Sequence, residues 1–598
     1  MKKKLIIITI FILLLISISL YYTYAIDITI EEVSSSNADL TFNINIEDIS
    51  SRTISVKAGE TKYFDVFITN PSDSTINYGL VYDNVEVDGI TIAQVNTSKN
   101  EVSELIGGNT THQISLFIKN ITEQDYTYNI MPVVGYKKGG DLIVPSGYTK
   151  ITEVQEAPVE PNSPDLVDGL IPITYSNNKW VKANANNIDS NWYNYDLKKW
   201  ANAVLVSSSY RNSDGTDKFN VGDEIPESAI LAYYVWIPRY KYRVWNINKT
   251  IGVDSYDAYN KGIDIKWEID KRKTGSIKCN EYDFSITDNS LNEVCNGSNG
   301  EYYTHPAFSF GVLELRGLWV GKFELSSSSP TATDGGGTSI TLTPRIKPSV
   351  LSWRYNPVDN YFKVIEDMQI NGNEYGLTTD KTLVDSHMIK NMEWGSIAYL
   401  SHSKYGRCNK ENCREVSINS YYNDTNFMTG CGPRSETSTN SGSTCYEYNS
   451  ELGKLASTTG NIYGIYDMSG GAYEYVMGNI SSTSGSYTYK VAGAGSNFSY
   501  SKATSKYIDT YSFLPSEISR TEQLSYNRAR LGDAISEVVE TSSYAWYGDL
   551  SYFPVGTPWM LRGGISLLST ETGIFNLTRD SGAANKNMTT RAILISIK

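Results

Sequence analysis

Asn461-Ile-Tyr-Gly-Ile-Tyr-Asp-Met-Ser-Gly-Gly-Ala-Tyr-Glu-Tyr475 is the stretch that decides the fold of this chain. It carries two carboxylates, Asp467 and Glu474, on either side of the Gly470-Gly471 pair. Three further blocks surround it. Upstream stand His305-Pro-Ala-Phe308 with Leu318-Trp-Val-Gly-Lys-Phe-Glu-Leu325, then Met388-Ile-Lys-Asn-Met-Glu-Trp-Gly-Ser-Ile-Ala-Tyr399. Downstream stand Leu561-Arg-Gly-Gly-Ile565 and Arg591-Ala-Ile-Leu594. One such block is weak evidence; four in a fixed order are specific, because each must fit the same context.

In that order the four blocks resemble the sulfatase-modifying-factor family, whose founding activity generates formylglycine. The resemblance covers roughly Tyr233 to Lys598, with low identity between blocks. It implies an α+β fold: a C-type-lectin-like domain with little regular structure. It also implies where chemistry would sit. In the family a cysteine pair between the two C-terminal arginine blocks binds copper and substrate. Between Arg562 and Arg591 this chain has neither cysteine nor histidine, and Met588 is the one soft ligand there. Oxygenase relatives use histidines with a carboxylate; the large domain has only His305, His387 and His402, with no pair at helix spacing. The resemblance therefore implies a scaffold without the family's catalysis. It further implies structural calcium near the signature. The family's asparagine position is Gly471 here, which leaves Asp467 and Glu474 as candidates for a weak calcium site. The alternative reading has Asp467 capping a local turn and Glu474 pairing with an arginine such as Arg562. Arg562 and Arg591 are expected to tie down the C-terminal core through carbonyls or carboxylates.

The N-terminus reads Met1-Lys-Lys-Lys4, then apolar residues from Leu5 to Leu20, then Tyr-Tyr-Thr-Tyr-Ala25. A basic start, an apolar middle and a small terminal residue predict an export signal over 1–25, cleaved or kept as a membrane anchor. The net charge of −14 argues against a nucleic-acid partner, which wants a basic stripe. The 45 tyrosines among many Asn, Ser and Thr suit β-rich structure, and secondarily a binding surface. Cys279, Cys295, Cys408, Cys413, Cys431 and Cys445 fall in sequence-local pairs. In an exported protein an even count reads as disulfides, here pinning surface insertions.

Residues 26–152 alternate apolar and polar, as in Lys62-Tyr-Phe-Asp-Val-Phe-Ile-Thr69, and predict an all-β immunoglobulin-like sandwich. Residues 153–168, with three prolines and several carboxylates, predict an extended, solvated spacer. Residues 169–598 then form the large domain. Tyr233 to Trp245 predicts a strand whose Pro238 marks an edge or bulge, and His387 to His402 predicts a helix. The expected function is an exported, non-catalytic head that binds an extracellular protein or glycan. Asn576, Asn585 and Asn587 are its candidate contact residues. Two alternatives stand beside it: an enzyme of unfamiliar chemistry using Glu393, Asp467 and Glu474, and a structural envelope protein.

Overall fold

The computed structural model describes most of residues 27–597; residues 1–26, 246–255, 276–300, 483–505 and 514–530 lie outside it, with shorter gaps elsewhere. The expected signal segment and the Cys279–Cys295 pair are thus outside the described residues. The described chain is β-rich, with 37% strand against 11% helix, and its helices are short. No helix among the described residues is long and apolar enough to cross a membrane. Two compact units divide the chain, Met1–Pro158 and Val159–Lys598.

The first unit has two sheets. One runs Val154–Gln155, Ile90–Val95, Thr110–Asn120, Thr61–Asn70, Asp27–Val33, Asp39–Asn45 in spatial order. The other runs Tyr148–Lys150, Ile76–Asp83, Tyr126–Gly135, Thr53–Val56. Phe64, Val66 and Ile68 alternate inward along one strand and meet Tyr128 and Ile130 of the other sheet in a shared core.

In the second unit the main sheet has seven strands: β1 (Leu170–Ser176), β2 (Lys179–Lys182), β3 (Asn202–Val206), β4 (Ile230–Pro238), β5 (Gly317–Gly321), β6 (Val384–Met388) and, from the C-terminus, Ala592–Ser596. Their order is β2-β1-β3-β4-β5, then Ala592–Ser596, then β6, antiparallel throughout. Every residue of β4 is buried, as its unbroken apolar sequence requires. Pro238 marks neither an edge nor a bulge: it ends β4, a central strand, before Tyr240–Arg243 joins a separate three-stranded sheet.

The helix expected over 387–402 is shorter. His387 and Met388 belong to β6, and helix α1 spans Asn391–Ser401 with all eleven residues buried. A helix buried all round has no apolar stripe from which its start can be read. Its N-terminal donors are met from within and without: Glu393, in the helix's own first turn, accepts the Lys390 N–H at 2.7 Å, and Asp509, outside it, accepts the Met392 N–H at 2.7 Å. A second sheet holds β7 (Tyr473–Ser482) between Asp509–Phe513 and β8 (Trp559–Arg562), with β9 (Leu577–Asp580) beyond β8 and β10 (Met588–Thr590) also pairing β7.

The spacer reading of 153–168 is corrected. Val154–Gln155 pairs with Ile90–Val95 in the first unit. Asn162 in the second unit is buried, donating to the Asp270 and Arg316 carbonyls at 2.8 and 2.9 Å. Asp165 pairs with Arg316. Composition reports solvation tendency but cannot show partners more than a hundred residues away.

Candidate functional site

The signature stretch is a loop leading into β7, and two buried cations hold it. Lys322 Nζ donates to the carbonyls of Ile462 at 2.6 Å and Gly464 at 2.9 Å, and to Asn202 Oδ1 at 2.7 Å. Burial pushes this ammonium well below the usual lysine range. Arg591 donates to the carbonyls of Gly321 at 2.7 Å and Tyr466 at 2.9 Å, and its Nε meets Glu474 Oε2 at 3.0 Å. Arg562 bonds the Asp533 and Ala534 carbonyls, both at 3.2 Å. Both arginines are therefore struts, but Glu474 pairs with Arg591 rather than Arg562.

Asp467 sits at φ +62 and its carboxylate accepts from Asn419 Nδ2 at 2.8 Å and from the N–H groups of Gly430 and Glu324. Its neighbour Glu324 was missed in the sequence. Glu324 accepts the Ala472 N–H at 2.9 Å and a hydrogen bond from Ser352 Oγ. Burial raises its carboxyl well above the ordinary range, and the charges of Asp467 and Glu474 add to that. Burial likewise pushes Glu474 up to about 7, with Arg591 opposing. Gly471 lies at φ +75, and a Cβ there would run into Glu324 Oε1. A signal did exist: Lys322 and Glu324 alternate with apolar residues in the block Leu318–Leu325.

These residues do not fit calcium. Both Glu474 oxygens face the Arg591 guanidinium, both Asp467 oxygens accept N–H donors, and position 471 offers no side-chain oxygen. Calcium wants six to eight oxygens and no cation among them.

Glu393 belongs to another cluster, so the trio Glu393, Asp467 and Glu474 is not assembled as a set. His387 is buried with Nδ1 at 3.0 Å from Asp385 Oδ1 and Nε2 at 3.0 Å from Glu393 Oε1. Burial alone would lower the imidazole's pKa; the Glu393 charge and the two hydrogen bonds outweigh it and raise it. His305 and His402 are buried separately, and burial lowers them to about 3 and about 4. Glu537 is pushed up to about 8 by burial and accepts from Tyr242, Tyr399 and the Gly532 N–H.

The candidate contact residues divide. Asn576 is buried, its Nδ2 donating to the Glu571 carbonyl at 2.8 Å, and it is not available to a ligand. It lies in a run, 572–577, in which every residue is buried, which a count of asparagines could not show. Asn585 and Asn587 are half-buried in the turn before β10, where Asn585 Oδ1 accepts the Asn587 N–H at 3.0 Å.

Cys408 joins Cys413 and Cys431 joins Cys445. They sit deeper than surface pins, since Cys408 and Cys431 are buried. A ring nitrogen of His402 and both sulfurs of Cys408 and Cys413 lie within 4.8 Å of one another, a convergence the spacing did not suggest. Sulfurs joined in a disulfide are not thiolates, so they make no ligand set.

No family model matches the chain, and no curated protein does. Among solved structures, envelope protein VP37 from White Spot Syndrome Virus matches at 14% identity over 18% of this chain and 92% of that one, with a TM-score of 0.11. A TM-score that low carries no argument.

Proposed function

We propose that the second unit is a sulfatase-modifying-factor-like, C-type-lectin-like head that has lost redox chemistry and binds a protein or glycan outside the cell. The first unit would then be its immunoglobulin-like stalk. One observation carries the non-catalytic part. The segment between Arg562 and Arg591, where the family keeps its cysteines, is packed with apolar side chains: Ile574, Phe575, Leu577 and Met588 are all buried. No thiol or imidazole belongs to that segment, so it has no donor set for copper or iron. The two disulfides and the basic-apolar N-terminus support export. The test is an array of glycans and extracellular proteins probed with the purified full-length chain. Saturable binding to a defined ligand is the expected result; no binding at high protein concentration would overturn the reading.

A further inference from the structure

A groove of about 340 Å³ opens beside the edge strand β2, lined by Tyr175, Trp180, Tyr233 and Tyr448 with Asn178 and Glu447 among the polar groups. It lies in none of the four family blocks, and at the lower end of ligand-site volumes, roughly 300–1,000 Å³. We infer that this groove is a carbohydrate subsite that takes a neutral pyranose ring. The inference rests on the binding reading above and names the ligand class and the place.

The aromatic wall is fixed before any ligand arrives. Trp180 Nε1 donates to Tyr448 Oη at 2.9 Å, and Tyr233 Oη donates to Glu227. Tyr175 meets Trp180 edge-on with centroids 5.1 Å apart. Lys322, wholly buried, stands 5.2 Å from the Trp180 centroid, so the interior side of this indole is occupied by a cation that the protein holds through three hydrogen bonds. A side chain already locked loses little freedom on binding.

The lips are polar and differ from the wall. The turn joining β1 to β2 has Asn177 at φ +50 and Asn178 at φ +60, the conformation asparagine tolerates in tight hairpins, and it sets exposed Asn178 on one lip. Exposed Glu447 and Asn449 line the same groove. Charge decides between ligand classes. Two of the three lining carboxylates already have cations: Lys179 Nζ is 2.5 Å from Glu224, and Lys347 Nζ is 3.2 Å from Glu227. Trp180, Tyr233 and Tyr448 are buried and form the floor, so what remains free to engage a newcomer is two amides, one carboxylate and the half-buried Tyr175 ring. A pyranose presents an apolar C–H face to such a ring and hydroxyls that both donate and accept; amides answer both, and a carboxylate accepts. A cationic ligand would find a single unpaired charge.

The experiment titrates the full-length chain with methyl glycosides of glucose, galactose, mannose and N-acetylglucosamine, read by saturation-transfer NMR and tryptophan fluorescence. The variants are Asn178→Gly, which keeps the turn, and Glu447→Gln; both positions are exposed, so folding is unaffected. Val312→Ser, at a position 97% exposed on another hairpin, is the control. At least one glycoside should bind the wild type and the control alike, and tenfold or more weakly in each groove variant. Binding that all three variants share would overturn the groove assignment while leaving a binding head. Lysine-rich peptides binding in place of sugars, with loss in Glu447→Gln, would overturn the ligand class. No glycoside binding at all overturns this inference, and only an empty array would take the binding reading with it.

Discussion

At the scale of single residues the telling pair is Glu474 and Arg591. Glu474 stands directly across from Arg562 in the β7–β8 register. It stands across from Thr589 on its other side, two residues before Arg591. Sequence alone could not choose between two arginines so placed; the choice follows from Arg562 reaching the 533–534 carbonyls instead. Removing Arg591 would leave a buried carboxylate and two carbonyls without their donor. Arg591→Met should cost about 3–5 kcal/mol in urea unfolding, the range for breaking one side of a buried pair. A loss under 1 kcal/mol would show that the strut is idle. Gly471→Asn introduces the residue that the proposed resemblance would put there. Because a Cβ at φ +75 meets Glu324, it should lower the Tm by several degrees and give no calcium-dependent rise in a thermal melt. A Tm that climbs with added calcium would instead mean that a site had been rebuilt.

Among the elements, strands were more legible than helices. β4 and β5 announce themselves as apolar runs, and both lie in the middle of the main sheet. Helix α1 was half legible, because a helix buried on every side lacks the periodicity from which ends are read. Its burial makes Trp394→Ala a strong test. The indole is fully buried and donates to the Ile574 carbonyl at 2.8 Å, so the expected loss is about 3–5 kcal/mol. The loop carrying Cys431 and Cys445 should depend on its bridge less severely. A double Cys→Ser variant should lose about 2–3 kcal/mol, since a separation of 14 residues closes a modest loop. Both losses can be measured by denaturant titration. The site was the least legible part. Lys322, Glu324 and Trp180 meet the signature or the groove only through contacts far apart in sequence, and no local pattern reports those.

For the whole molecule, buried acids set the response to pH. Glu537 titrates at about 8 and Glu474 at about 7, both raised by burial. An acid raised in the folded state binds a proton that the unfolded chain has released, so stability falls as pH climbs toward the folded value. His387, raised as well, acts in the same sense. His305 and His402, lowered by burial, favour the folded state as pH rises, but only up to the unfolded histidine value near 6.5. Above that point the buried lysines still pull the other way, Lys322 held well below the usual range and Lys199 at about 8, but the raised acids, Glu415 at about 8 among them, outnumber them. The Tm should therefore drop by several degrees between pH 6.5 and 8, and Glu537→Gln should flatten that slope. A Tm that rises across this window would contradict the assignment.

The central claim is the proposal that the segment between Arg562 and Arg591 serves packing and holds no redox metal. Its most direct test is metal content of the oxidised full-length chain, dialysed in turn against copper, iron(II) and calcium and then washed. The account predicts far less than one equivalent of each. One tightly held copper or iron per chain, lost on substituting residues in 562–591, would contradict it.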